Sequence, residues 1–186
     1  MAKLREIWPS RNRFFCGCCI TGPIGSDIMA MSCWYCCAVV VLVLLTVFVL
    51  PEVWVKVTPA LPILFYLALL VTTLFWNLTA CTDPGIIPRR AFLEHTQPPR
   101  AHNFLQNPEE NARACSTCRI FRPRRASHCS VCGNCVEVFD HHCPFVNNCI
   151  GKRNYRFFML FILGVFCSIA SATVNLIVYF VSRGDG

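Results

Sequence analysis

The chain has 186 residues, 55% of them hydrophobic, with a mean hydropathy of +0.49 and a formal charge of +7. So short a chain cannot wrap several long apolar segments in a polar shell, which excludes an ordinary soluble domain. Fifteen cysteines would mean a disulfide scaffold in a small secreted protein. Here the first fifteen residues carry Lys3, Arg5, Arg11 and Arg13 without the apolar core of a cleavable leader, and the cysteines cluster at metal-type spacings suited to a reducing compartment.

In chain order, a basic segment, 1–27, precedes a predicted transmembrane helical hairpin over 28–82. Its first arm, Ile28–Pro51, has 24 residues without a charge, and its second, Val57–Thr82, has 26. A third uncharged run of 26, Phe157–Ser182, occupies the final segment, 157–186. At about 1.5 Å per residue each reaches across a hydrocarbon layer of roughly 30 Å. Pro59 and Pro62 predict that the second helix begins near Leu61. Asn77 and Asn175, the amide side chains within these runs, are expected to face the bundle. Lys and Arg number four before the first run, one (Lys56) between the first two, eleven from Asp83 to Arg156, and one (Arg183) after the third. That bias predicts an N-terminus and a long second loop on the cytosolic side, with the C-terminus opposite.

Within that loop, residues 83–114 contain Pro98-Pro99 and Asn107-Pro108 and read as a cytosolic linker with little regular structure. Residues 115–156 differ in kind. Between Cys115 and Cys149 lie seven cysteines and three histidines, with Cys-x-x-Cys at 115/118 and again at 129/132. A segment this short buries too little apolar surface to fold unaided, whereas tetrahedral zinc can order it by about 10–16 kcal/mol per site. Two closed Cys3His sites use eight of the ten ligands. In an extended run the side chains alternate, so His141 and Cys143 project together and His142 projects oppositely. His142 is therefore assigned to zinc, and His141 is left beside Cys143. A thiol with an imidazole neighbour is the arrangement of an activated nucleophile; Asp140 precedes the pair and could orient that imidazole, a contact that spacing alone does not decide.

The run Cys115-x2-Cys118-x9-His128-Cys129-x2-Cys132-x2-Cys135-x4-Asp140-His141-His142-Cys143-x5-Cys149-x4-Asn154-x3-Phe158 resembles the cysteine-rich domain of the DHHC palmitoyltransferases throughout. Asp83-Pro84-Gly85, just after the second apolar run, is similar to that family's second motif. The resemblance implies a membrane-embedded enzyme, all-α with several transmembrane helices and a cytosolic two-zinc domain of short strands and loops. It implies one zinc on Cys115, Cys118, His128 and Cys135, and another on Cys129, Cys132, His142 and Cys149. It implies that Cys143, aided by His141 and Asp140, takes a long-chain acyl group from acyl-CoA and passes it to cysteines of substrate proteins. Arg122 and Arg125 match positions where basic residues contact the CoA phosphates; the plainer reading is a solvated basic face drawn to anionic lipid. Phe145 stands where the family usually has Trp.

The expected partners are palmitoyl-CoA, membrane lipids and proteins with cytosolic juxtamembrane cysteines, with no nucleic acid among them. Cys16, Cys18 and Cys19 are themselves candidates for acylation. Arg11-Asn12-Arg13-Phe14-Phe15-Cys16 resembles a family subset of the Golgi, so an endomembrane location, Golgi or ER, is expected. The family has four membrane helices and a further cytosolic Thr-Thr-x-Glu motif. This chain ends at Gly186 after the third run, so it is expected to be a C-terminally truncated member. The alternative is a catalytically inactive membrane zinc protein that binds or sequesters substrates or partners. Cys33, Cys36, Cys37, Cys81 and Cys167 are expected to be packing residues, and His95 and His102 to be solvated.

Overall fold

The computed structural model describes residues 10–15, 19–23, 26–96, 105 and 112–184. The chain divides into two compact units, one of Ser26–Leu78 with Arg156–Gly186, the other of Met1–Gly25 with Thr79–Tyr155.

The first unit is helical. Helix α1 (Ser26–Leu44) leads through a π-helical turn (Leu45–Val49) into α2 (Leu50–Lys56); α3 spans Ala60–Cys81 and α5 spans Tyr155–Gly184. Val39-Val40-Val41 and their neighbours favour strands in water. In an apolar run only a helix satisfies every backbone group within the segment, and the chain adopts it. Three stretches, Tyr35–Lys56, Ala60–Cys81 and Tyr155–Gly184, are long and apolar enough to cross a membrane. The π turn has a local cause. Pro51 brings no N–H and its ring crowds the preceding turn, and the ladder widens just before it, Leu50 N–H reaching back to Leu45 O. Just before Pro59, Thr58 Oγ1 accepts from Ala60 N (3.3 Å), the first residue of α3.

Helices α3 and α5 pack through small and polar residues. A Cβ on Gly164 would lie 2.7 Å from Thr72 Oγ1. Thr72 and Ser168 share a hydroxyl hydrogen bond of 3.0 Å, and Phe75 stacks on Phe157 at 6.5 Å. Asn175 is fully buried and donates to Leu61 O (3.3 Å) and to Ser171 O (2.9 Å). Small residues let the backbones approach, and amides supply the directional contacts that lipid cannot. Asn175 therefore faces the bundle as expected. Asn77 does not: it is exposed and turns back onto its own helix, donating to Thr73 O at 2.8 Å.

The second unit is assembled from antiparallel ladders of two or three residues. Strand β1 (Arg13–Phe15) pairs with β2 (Cys19–Thr21). β4 (Arg113–Cys115) pairs with β5 (Ile120–Arg122), and β8 (His141–Cys143) with β9 (Asn148–Ile150). A three-stranded sheet runs in the order β3 (Ile86–Ile87), β7 (Asn134–Val136), β6 (Ser127–Cys129). Among the described residues of this unit, small apolar cores gather around the cysteines. Ile87, Leu93 and Ile120 surround Cys115, Cys118 and Cys135, while Val136, Ile86 and Phe139 surround Cys129, Cys132 and Cys149.

The stretch read as a linker is partly folded. Ile86–Ile87 joins the sheet, and α4 (Arg90–Thr96) buries Leu93 against the first core, where Leu105 also packs. Two residues of strand and two turns of helix are too short for a periodic pattern to reveal. The Pro98-Pro99 and Asn107-Pro108 pairs, His102, Cys16 and Cys18 lie outside the described residues.

Candidate active site and metal centres

Each Cys-x-x-Cys pair sits on a hairpin turn of the same design. Cys118 N approaches Cys115 Sγ at 3.4 Å, and Cys132 N approaches Cys129 Sγ at 3.4 Å. The following residue closes the turn in the left-handed region, Arg119 at φ 54° and Gly133 at φ 71°, each donating its N–H to the carbonyl of the first cysteine (2.7 and 2.8 Å). Glycine adopts that conformation freely; arginine is held in it at some strain. The third and fourth donors arrive across strand pairs. His128 stands opposite Cys135 in the β6–β7 ladder, and His142 opposite Cys149 in β8–β9, so each pair projects from one face.

The donor atoms of Cys115, Cys118, His128 and Cys135 lie within 4.8 Å of one another, as do those of Cys129, Cys132, His142 and Cys149. Nδ1 of His128 is 3.6, 3.4 and 3.8 Å from the sulfurs of Cys115, Cys118 and Cys135. Nδ1 of His142 is 3.4 and 3.7 Å from those of Cys132 and Cys149, which are 3.5 Å apart. A tetrahedral zinc site with bonds of about 2.3 Å to sulfur and about 2.0 Å to nitrogen has S···N edges of roughly 3.5 Å, so both donor sets fit the ion. The sulfurs also show why a cation belongs there. A hydrogen bond from Cys135 lowers the Cys118 pKa, and the same contact, with burial, raises that of Cys135. Hydrogen bonds from Cys132 and Cys149 lower Cys129, while Cys149 is raised by its bonds to Cys129 and Cys132 and by burial. Three thiolates so close cannot all ionise unless a positive charge joins them. With four protein donors each site is closed, which suits a structural ion.

Cys143 belongs to neither cluster. Strand β8 is extended, so Cys143 and His141 share the face opposite to His142. Cys143 is 5% exposed and lies across from Asn148, whereas His141 and Asp140 are substantially exposed, with His141 Nδ1 3.3 Å from Asp140 Oδ2. Arg122 is half-buried on β5, its guanidinium near Arg113 O and Ala114 O at 3.5 Å. Arg125 is exposed with φ 63°, and its carbonyl accepts from Phe139 N.

Residues 108–185 match the family model described as DHHC palmitoyltransferase. The chain belongs to this family. It is 41% identical over 190 residues to palmitoyltransferase ZDHHC14 of Homo sapiens, an alignment covering 86% of this chain and 36% of that protein. It is 37% identical over 202 residues to palmitoyltransferase ZDHHC18 of Homo sapiens, covering 97% and 50%. To palmitoyltransferase ZDHHC9 of Bos taurus it is 45% identical over 130 residues, covering 60% and 36%. The chain thus spans half or less of the length of these relatives.

Four residues of the DHHC segment and its approach, Asp83, Gly85, Asn148 and Asn154, hold the site together without having been given a role by sequence reasoning. Asp83 Oδ1 accepts from Gly85 N and Ile86 N, both at 2.9 Å, while Oδ2 pairs with Arg153. Gly85, at φ 104°, aims its carbonyl at Glu137 N (2.9 Å). The Asp-Pro-Gly motif is therefore a turn that fastens the end of α3 to the sheet. Asn148, fully buried, donates to Ala80 O and Thr82 O (3.0 and 3.1 Å), taking up carbonyls at the helix end. Asn154, also fully buried, donates to Thr79 O and Cys149 O and accepts from Gly151 N. The sequence signal for Asp83, Gly85 and Asn154 was their place in motifs that resemble the family's; Asn148 had none beyond standing beside Cys149.

Proposed function

We propose that this chain is a protein S-acyltransferase in which Cys143 receives a long-chain acyl group, typically palmitoyl, from acyl-CoA and transfers it to cysteines of cytosolic or membrane proteins. The observation that carries this reading is the surplus pair. Eight of the ten Cys and His residues between 115 and 149 fall into two closed clusters, and Cys143 and His141 stand outside both on the opposite face of β8.

In the first step His141 Nε2 takes the Cys143 thiol proton, its Nδ1–H held by Asp140. The Cys143 sulfur bonds to the acyl carbonyl carbon, the bond from that carbon to the CoA sulfur breaks, and the proton returns to the departing CoA thiolate. In the second step His141 deprotonates the substrate cysteine. Its sulfur takes the acyl carbon, and Cys143 leaves and recovers the proton. Cys115, Cys118, His128 and Cys135 would hold one zinc and Cys129, Cys132, His142 and Cys149 another, which would supply positive charge and cross-links to the segment carrying Cys143. Arg122 and Arg125 supply charge for the CoA phosphates.

The three long apolar helices cross an endomembrane, Golgi or ER, with the N-terminus and the zinc domain cytosolic. An acyl chain buried there gains about 0.8 kcal/mol per CH₂. The partners are palmitoyl-CoA, lipids and proteins bearing juxtamembrane cysteines.

The test incubates the chain in nanodiscs with alkyne-tagged palmitoyl-CoA. A hydroxylamine-sensitive adduct that Cys143→Ser eliminates is expected. A zinc-loaded chain without that adduct overturns the reading in favour of a membrane protein that binds partners without turnover.

A further inference from the structure

The N-terminal hairpin is fastened at both ends to the segment that carries Cys143. On the incoming side, Arg11 N donates to Cys132 O at 3.1 Å. Asn12 closes the base of the hairpin, donating to Thr21 O at 3.0 Å, and its Oδ1 accepts from Asn134 Nδ2 on β7. Asn134 is fully buried. On the outgoing side, Gly22 N donates to Asn147 O at 2.5 Å. Gly22 is buried so closely there that a Cβ would lie 2.7 Å from Asn147 O and 2.8 Å from its Oδ1.

Asn147 is not an arbitrary anchor. It ends the turn Pro144–Asn147 joining Cys143 to Asn148, donates to Pro144 O at 3.3 Å, and holds φ 45°, a left-handed conformation that a surrounding structure must maintain. The other anchor lies on the turn of Cys129 and Cys132, whose cluster also contains Cys149, two residues past Asn147. The hairpin thus bridges the metal-bearing turn and the turn that leaves Cys143.

We propose that Gly22 and Asn12 are positioning residues for Cys143: the β1–β2 hairpin is a strap that holds the Pro144–Asn147 turn against the Cys132–Asn134 turn and thereby sets the direction of the thiol. This rests on the reading of Cys143 as the acylated nucleophile. Neither residue touches the reacting atoms. Their effect passes through the turn, and a small displacement of a nucleophile is enough to slow its reaction.

The experiment compares wild type, Gly22→Ala, Asn12→Ala and Asn12→Asp as zinc-loaded chains in nanodiscs. Three quantities are read: the rate of maleimide alkylation at Cys143 by site-resolved mass spectrometry, the dependence of Cys143 auto-acylation on palmitoyl-CoA concentration, and zinc per chain. In Gly22→Ala, alkylation of the normally buried Cys143 is expected to rise about tenfold and maximal acylation to fall about tenfold. The half-saturating palmitoyl-CoA concentration stays within about twofold, and zinc remains at two per chain. Asn12→Ala shifts both rates in the same directions. Asn12→Asp, which keeps the acceptor for Asn134 but loses the donor to Thr21 O, restores part of the loss. Rates unchanged in Gly22→Ala and Asn12→Ala overturn the strap. So does a change that appears only with loss of zinc, since the hairpin then supports the metal site alone. If Gly22→Ala does not fold, the Asn12 pair decides. If wild type itself forms no thioester, the acyltransferase reading falls, and the alkylation rates still judge the strap.

Discussion

Cys143 and the cluster cysteines are alike in chemistry and differ only in what stands next to them. A cysteine in a cluster of four donors is placed to share its charge with an ion, whereas Cys143 has no place in either donor set. Cys143→Ser is therefore expected to abolish the thioester while zinc, measured by plasma emission, stays at two per chain; loss of one zinc would show that the surplus residue was misassigned. The buried amides make a different prediction. Asn154→Ala leaves Thr79 O, Cys149 O and Gly151 N without their partner. Each buried polar group so stranded costs about 1–3 kcal/mol, and a lower melting temperature with an unchanged metal content is the expected result. The two Cys and His clusters, and the cysteine and histidine left outside them, could be read from the sequence because cysteine and histidine at fixed spacings admit few alternatives. Asn148 and Asn154 could not, because an amide in a sequence does not reveal which distant carbonyl it will reach.

At the scale of elements, two kinds of packing operate under different rules. The metal hairpins are strands of three residues with little apolar area of their own. Cys132→Ser removes one donor from the cluster it shares with Cys129, His142 and Cys149, and bound zinc should fall toward one per chain, read by a chromogenic chelator after denaturation. Two zincs retained in that variant would disprove the donor set. Helices α3 and α5 depend on close approach. A side chain at Gly164 meets Thr72 at Oγ1 (2.7 Å) and at Cα (3.1 Å), and the backbone atom cannot swing aside. Gly164→Leu is expected to lower thermal stability in nanodiscs with zinc still at two per chain; a chain as stable as wild type would show that the seam is dispensable. The apolar runs announced these helices plainly. Their pairing depends on which residues of α5 turn toward α3, and the length of an uncharged run says nothing about that.

Across the whole molecule, the two units should respond separately to the removal of zinc. Both candidate metal clusters lie within Cys115–Cys149, while Ser26–Leu78 and Arg156–Gly186 contain none of the cluster residues. Chelation should open the region 112–155 to protease while far-UV circular dichroism keeps most of its helical intensity. Collapse of both together would contradict this independence. Acid should act in the same direction. Thiolates and imidazoles bind zinc only when deprotonated, so falling pH places protons in competition with the metal and releases it, whereas rising pH favours retention.

By itself the sequence determined what depends on composition and local spacing: three helices of spanning length, eight Cys and His residues gathered into two sets that could hold a metal, and a surplus cysteine and histidine on the other face of an extended run. Those follow from chain length against helix rise, from ligand chemistry, and from the alternation of side chains along a strand. Only the tertiary structure decided what depends on distant partners. It made Asp83-Pro84-Gly85 a turn anchored by Arg153 and Glu137, drew Ile87 and Leu93 out of a presumed linker into the first core, sent Asn77 outward while Asn175 turned in, and set Gly22 against Asn147. Such contacts join residues far apart in sequence through single hydrogen bonds and close approaches, for which a linear pattern holds no period to detect.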